Sequence, residues 1–312
     1  MQSPATFARI GTRGSPLALA QAKLVRERLA STHNVDPETI VIEVFSTGGD
    51  RSQSENTTLS DIGGKGVFTK EIDEALLSDR IDIGVHSSKD VATGLAEGMR
   101  LAAFLEREDV RDAFLSVSAK GIDHLPEGAR FGTSSIRRAA QARRLRPDLR
   151  IVPFRGNVHT RVQKLLDGVA DATLLALAGL NRLGEAHRAT AILDPHHFMP
   201  APAQGAIGIA IRSNDQRMAD IVAPLDHAPT HRAIAAERTM LAVLDGSCRT
   251  PVGTLSGTSN GMQTLTGEIL SLDGQLSFRA EASGSDPEAL GEQVGRELLA
   301  QAGPDWLTRW GL

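Results

Sequence analysis

The segment His86-Ser-Ser-Lys-Asp90 follows an apolar run at 81–85 that reads as a β-strand, so it is expected at that strand's carboxyl end. Ser87 and Lys89 suit an anion, whereas Asp90 puts a carboxylate among cations. In isolation Asp90 reads as a turn or cap residue. In a cleft built for anions, however, a carboxylate is repelled by the ligand. It belongs there only where a reaction develops positive charge or moves a proton. Asp90 is therefore the leading catalytic candidate.

The arginines support such a cleft. Residues 130–161 hold nine arginines and a single acid, Asp148. A charge run is usually a solvated face, but the details here argue otherwise. Gly132-Thr133-Ser134-Ser135 is a small-residue turn that should cap a helix, yet Arg137 and Arg138 fall in that helix's first turn. Cations are disfavoured there by the partial positive charge of the helix start, and a docked anion would relieve the conflict. Arg13 stands two residues before a cap at Ser15, and Arg155 two before a cap at Asn157, with Arg161 one turn on. Three helix starts thus combine with arginine at the carboxyl edges of strands, where open α/β sheets bind ligands. The simplest inference is a polyanion-binding cleft between two domains.

Cys248, the chain's one cysteine, lies in the loop Gly246-Ser-Cys-Arg-Thr-Pro251. A lone cysteine is often a small buried hydrophobe; beside Arg249 in a polar loop its thiolate would be favoured. No Cys/His protease signature accompanies it, so the position suits covalent attachment better than turnover. Gly63-Gly-Lys-Gly66 lacks the Ser/Thr and spacing of a phosphate loop, and Gly11-Thr-Arg-Gly14 is no dinucleotide fingerprint. His227 and His231 have Pro229 between them and no acidic partner in pattern, so no metal site is expected.

These residues need elements to hold them, and the 312-residue chain can build them: 41% of it is apolar and 23% charged, with a net charge of −4. Disorder and a globally basic nucleic-acid binder are both excluded by that balance. No apolar run approaches the length of a membrane span, and the N-terminus carries no charged-then-apolar leader; the protein is expected to be soluble and cytoplasmic. Arginine outnumbers lysine 28 to 6 and tyrosine is absent. One reading is codon bias and the other a demand for planar, bidentate guanidinium forks; composition alone does not choose between them, and position does.

Strands are expected at 7–10, 40–45, 81–85, 151–153, 172–177 and 206–211. Helices are expected from Pro16 past Leu29, at 68–77, 136–145, 158–166, 232–244 and 287–300. Alternating, turn-punctuated strands occupy roughly 252–282. The first two thirds therefore read as two βαβ blocks with mainly parallel sheets. A charged crossing at 106–112 and a proline-rich one at 195–202 join them, and the run at 206–211 could return to the first sheet.

Nine segments, in order, resemble the porphobilinogen deaminase (hydroxymethylbilane synthase) family. They are Arg9-Ile-Gly-Thr-Arg-Gly-Ser-Pro-Leu-Ala-Leu19, Gly63-Gly-Lys-Gly-Val-Phe68, Val85-His-Ser-Ser-Lys-Asp90, Glu106-Arg-Glu-Asp-Val-Arg-Asp-Ala-Phe114 and Gly132-Thr-Ser-Ser-Ile-Arg-Arg138. Arg155-Gly-Asn-Val-His-Thr-Arg161, Leu177-Ala-Gly-Leu-Asn-Arg-Leu183, Pro202-Ala-Gln-Gly-Ala206 and Gly246-Ser-Cys-Arg-Thr-Pro-Val-Gly253 complete the set. Small departures occur at Ser247, where many members have glycine, and at Ser88, where many have methionine. Residues 52–61 match least well, and their polar character suggests a lid.

The resemblance implies an α/β fold of two periplasmic-binding-protein-like lobes with mixed, mainly parallel sheets, plus a small α+β third domain. The domains would be 1–105 with 206–223, then 106–205, then 224–312. It implies a transferase that condenses four porphobilinogens head to tail, losing ammonia each time, onto a dipyrromethane primer held by a thioether at Cys248. Water then releases the linear tetrapyrrole for heme and other tetrapyrrole biosynthesis. Carried over residue by residue, Asp90 is catalytic. The positions that bind cofactor or substrate are Arg13, Ser15, Ser87, Lys89, Thr133, Ser134, Ser135, Arg137, Arg138, Arg155, Asn157, Arg161, Arg182 and Gln204, with Arg13, Arg155 and Arg161 closest to the reacting ring. No metal, nucleic acid or membrane is implied, and a monomer is expected. The competing reading is a non-enzymatic two-lobed anion-binding protein, which would form no covalent adduct. A nucleic-acid binder using residues 130–161 would have only Phe131 and Phe154 for stacking.

Overall fold

The computed structural model describes residues 6–48, 69–246, 250–303 and 305–311. The expected lid at 52–61, Gly63 to Phe68 and Cys248 lie outside the described residues. The chain divides into two compact units, Met1–Arg107 with Ala206–His231, and Glu108–Gly205 with Arg232–Leu312.

The first unit opens with β1 (Ala8–Arg13) and α1 (Pro16–His33). Ser15 caps α1 by accepting the Ala18 N–H at 3.2 Å, and Pro16 sits in the first turn, where its missing N–H costs nothing. The helix stops where Asn34 turns left-handed (φ 51°) and its N–H closes onto the Ala30 carbonyl. Ala22, Val25 and Leu29 bury one stripe of α1 against β2 (Ile40–Phe45) and its neighbours. Each large side chain so buried contributes about 1.5–3 kcal/mol. Then come α2 (Lys70–Leu77), β3 (Ile83–Ser87) and β4 (Met99–Phe104).

The second unit contains β5 (Asp112–Ser116), β6 (Arg130–Gly132), α3 (Ile136–Leu145), β7 (Arg150–Val152), α4 (Val158–Leu166), β8 (Ala172–Ala176), α5 (Leu177–Arg182) and β9 (Ala191–Ile192). The chain returns to the first unit as β10 (Ile207–Arg212) and α6 (Gln216–Val222), and α7 (Ala228–Val243) follows. Two five-stranded sheets result, ordered β2-β1-β3-β10-β4 and β7-β6-β8-β5-β9. In each, the fourth strand runs antiparallel to its neighbours: β10 between β3 and β4, β5 between β8 and β9. The parallel pairs are β1 with β2 and β3, and β6 with β7 and β8. The architecture is therefore α/β with mixed, mainly parallel sheets, and the run at 206–211 does rejoin the first sheet.

A third, antiparallel sheet of β11 (Val252–Ser259), β12 (Met262–Leu270) and β13 (Ser277–Gly284) packs under α7 and α8 (Pro287–Ala302) around Met240, Leu265, Ile269, Val294 and Leu298. Its β12–β13 turn rests on α3. At Gly274 (φ +75°) a Cβ would stand 2.5 Å from the Ala140 carbonyl oxygen and 2.7 Å from the Arg144 nitrogen. Arg143 donates to the Leu272 carbonyl at 2.9 Å, and Arg144 pairs with the buried Glu268 carboxylate.

Three element expectations shift. Helix α7 starts at Ala228 rather than at 232, because Pro229 occupies its first turn instead of ending it. Leu177 opens α5 rather than closing β8. Strands β4, β5, β6 and β9 are absent from the sequence-based reading; β6 and β9 are three and two residues long, and β5 begins inside the charged crossing.

Candidate functional site

In the first unit, β1 and β3 are parallel neighbours, so their carboxyl ends share one sheet edge. Arg13 ends β1 and Ser87 ends β3; a single 3₁₀ turn, Ser88–Asp90, then carries Asp90. The Asp90 Oδ2 lies 4.0 Å from Arg13 Nη1. Arg13, Ser15, Gln21, Ser87 and Asp90 line one small cavity together with His86 and Thr69. Ser87 and the buried Gln21 exchange hydrogen bonds: Gln21 Nε2 donates to Ser87 Oγ at 2.9 Å, and Ser87 Oγ donates to Gln21 Oε1 at 3.1 Å. His86 is buried, and burial together with the Arg13 charge pushes its pKa down to about 4, so the ring is neutral at neutral pH.

In the second unit, β6 and β7 are parallel neighbours, and the loops that leave them start α3 and α4. Ser135 caps α3 by accepting the Arg138 N–H at 3.4 Å; Thr133 Oγ1 accepts the Ser135 N–H at 3.0 Å. Ser134 Oγ accepts the Phe154 N–H at 3.0 Å, which ties the two loops together. Asn157 caps α4, its Oδ1 accepting from Thr160 N at 2.9 Å and Thr160 Oγ1 at 3.0 Å. Gly156 must be glycine: its φ is +126°, and a Cβ would lie 2.7 Å from Thr160 Cγ2. Arg155 precedes it, and Lys164 donates to the Arg155 carbonyl at 3.1 Å. Arg182, ending α5, donates to the Gly205 carbonyl at 2.6 Å. Burial lowers the pKa of both Arg155 and Arg182, in the latter case partly offset by Glu108. An anion at either guanidinium would offset that desolvation.

Arg137 and Arg138 have an intramolecular partner that the sequence did not show. Both are buried, and both hold the fully buried carboxylate of Asp112: Arg137 Nη2 donates to Oδ2 at 2.7 Å and Arg138 Nη2 to Oδ1 at 2.7 Å. Arg137 Nη1 also donates to the Met199 carbonyl and Arg138 Nη1 to the Leu174 carbonyl, while Arg138 Nε donates to Asp112 Oδ2 at 3.3 Å. The chain itself thus supplies one carboxylate to the two cations at this helix start. Gln204 joins the same group, donating to Asp112 Oδ1 at 2.9 Å and to the Val110 carbonyl at 2.7 Å. Although burial alone would raise it, the Asp112 pKa is held well below the usual carboxylate range by Arg138 and Arg137.

The sites fall into two sets, each on one unit. Arg13, Ser15, Ser87, Lys89 and Asp90 belong to the first; Thr133, Ser134, Ser135, Arg137, Arg138, Arg155, Asn157, Arg161, Arg182 and Gln204 belong to the second. Sequence reasoning missed Gln21 and Asp112. Gln21 was detectable as the polar residue beside Ala22 on the α1 stripe, and Asp112 as the acid that opens an apolar strand.

An α/β scaffold with a carboxylate–arginine pair on one sheet edge and arginine-flanked helix starts on another carries the groups expected of an anion-binding class of protein. The comparisons give that class its family. Residues 8–220 match the family model described as porphobilinogen deaminase, dipyromethane cofactor binding domain, and residues 231–300 match the porphobilinogen deaminase C-terminal domain. The porphobilinogen deaminase of Nitrobacter hamburgensis is 52% identical over 304 residues, covering 97% of this chain and 96% of its own. The chain belongs to the porphobilinogen deaminase family. Among solved structures, the methionine-binding protein MetQ matches with a TM-score of 0.43 at 13% identity, covering 74% of this chain and 94% of that one. A periplasmic substrate-binding protein of an ABC transporter from Coxiella burnetii matches with a TM-score of 0.43 at 13% identity, over 74% and 97% of the two chains. Among the described residues, no helix is long and apolar enough to cross a membrane.

Proposed function

We propose that this protein is a hydroxymethylbilane synthase, a transferase that joins four porphobilinogens with loss of four ammonia molecules and releases the linear tetrapyrrole with one water. The observation that carries the reading is the Arg13–Asp90 pair in one cavity with Ser15 and Ser87, on a chain that belongs to the porphobilinogen deaminase family over most of its length.

Each porphobilinogen bears an acetate and a propionate, so a growing chain is a polyanion. Arg13, Arg155, Arg161 and Arg182 bind those carboxylates with forked, charge-assisted hydrogen bonds. Ser15, Ser135 and Asn157 hold the helix starts whose partial positive charge adds to them. Ser87, Lys89, Thr133 and Ser134 complete the contacts. Arg137, Arg138 and Gln204 stay in the proposal as the positive charge behind the α3 start, two guanidiniums sharing one carboxylate. As ammonia leaves the substrate, positive charge develops on its pyrrole. Asp90 stabilises that charge, accepts the pyrrole N–H and takes up the proton released on joining.

A dipyrromethane fits these residues, since its four carboxylates call for cations such as the arginines beside the α3 and α4 starts. When bound, it supplies the pyrrole carbon to which the first substrate is joined. Cys248 attaches it through a thioether. We read three domains, 1–105 with 206–223, 106–205 and 224–312, on the ground that each holds one sheet; most of the second and third lies in one compact unit. The protein works as a cytoplasmic monomer.

Intact mass tests the reading. The purified protein is expected to exceed its sequence mass by two linked pyrroles and to form a porphyrin-yielding tetrapyrrole from porphobilinogen, while Cys248→Ala has neither the added mass nor the turnover. An unmodified mass that persists after incubation with porphobilinogen leaves a reversible anion binder as the better reading.

A further inference from the structure

The group around Asp112 does more than stabilise the second unit. Asp112 opens β5, the strand by which the chain enters this unit, and its carboxylate is completely buried. Three donors from two distant segments converge on it: Arg137 and Arg138 from the first turn of α3, and Gln204 from the segment that precedes β10. Arg137 also reaches the Met199 carbonyl, and Gln141, one turn further along α3, exchanges hydrogen bonds with Met199. One carboxylate therefore sets three things at once. It fixes the rotation of α3 about its axis, and so the direction in which the Ser135-capped start points. It fixes the segment whose Gly205 carbonyl anchors Arg182. It also gathers both guanidiniums of the α3 first turn onto one buried carboxylate.

Replacing a buried ion pair or triad by apolar residues is often neutral for stability, so stability alone gives little reason to keep Asp112 with its two arginines. Orientation of the α3 start supplies one: an anion there meets the helix's partial positive charge only where that start is held in place.

We infer that Asp112 is a positioning residue for carboxylate binding, holding Arg137, Arg138 and Gln204 so that the α3 start and Arg182 meet the ligand's carboxylates in fixed register. The inference rests on the functional reading given above. It acts through its neighbours and touches no substrate itself.

Asp112→Glu keeps the charge and adds one methylene, so the carboxylate can no longer meet all three donors in their present places. The variant is expected to fold, with an unchanged circular dichroism spectrum and cooperative unfolding. The fraction that gains two pyrroles by intact mass after incubation with porphobilinogen should drop at least about threefold. In the loaded fraction KM should rise about tenfold while kcat stays within about threefold, the pattern of lost binding rather than lost transition-state contact. A folded Asp112→Glu protein with lowered melting temperature but wild-type loading and KM overturns the inference, because a merely structural residue would behave so. Should Asp112→Glu not fold, Arg137→Lys takes its place: it keeps the charge but cannot span Asp112 and Met199 together, and the same loss of loading is expected. Wild-type loading and KM in folded Arg137→Lys overturn the inference equally. Failure of the functional reading looks different, since the wild-type protein itself would then gain no pyrrole mass.

Discussion

His86 makes acid stability a direct probe of the first unit's site. The ring is buried at the end of β3, beside Arg13, and its pKa falls from 6.5 to about 4. The neutral form is thus favoured in the folded protein. On acidification the unfolded chain takes up the proton first, so stability rises with pH between those two values. The contribution is fully present above the unfolded pKa and is lost as pH falls towards the folded one. With about 1.4 kcal/mol per pKa unit, the full window is worth ~3 kcal/mol, of which ~2 kcal/mol is already lost on going from about pH 7.5 to about pH 5. Urea unfolding at these pH values, on the wild type and on His86→Gln, isolates the effect, since every other titrating group is common to both. The wild type is expected to lose ~2 kcal/mol more than the variant over that interval. Parallel stability–pH curves for the two proteins would refute the claim that burial and Arg13 keep this ring neutral.

Two further outcomes follow from local geometry. Asp90→Asn is expected to leave the fold and the attached pyrroles in place, checked by circular dichroism and intact mass, while kcat falls by about 10²–10³, as for removal of a group aimed at developing charge. Gly274→Ala is expected to cost about 2–4 kcal/mol in urea unfolding, because φ is +75° and the new Cβ meets the α3 backbone at 2.5 Å and 2.7 Å.

Much of this architecture can be read from local sequence, and its gaps have physical causes. The span 136–145 coincides with α3 and 158–166 with α4, since Ser135 and Asn157 are strong caps ahead of apolar spacing. Strands β6 and β9 are three and two residues long, too short for any alternation to register; only their pairing with β7, β8 and β5 makes them strands. The conflict at Arg137 and Arg138 is visible in the sequence as two cations where a helix start repels them. Its resolution is not, because Asp112 lies 25 and 26 residues away and is brought back only by the sheet. A broken local rule therefore located an important place and left open which anion mends it.

The two antiparallel strands explain why the site residues stand where they do. Each is the strand made directly after the chain changes sheets, β5 on entering the second unit and β10 on returning to the first. Each is laid against the strand that carries site residues at its end. Ile207 and Gly208 of β10 lie opposite Ser87 and His86, and the Ala206 carbonyl accepts the Ser88 N–H at 3.0 Å, which holds the turn leading to Asp90. Asp112 of β5 lies opposite Ala176, and the Arg111 carbonyl accepts the Leu177 N–H at 3.0 Å, which starts the helix ending in Arg182. A turn following a parallel strand has no hairpin partner to fix it. Here the inserted strand supplies one, and the backbone at both candidate sites is pinned by the same device before any ligand arrives.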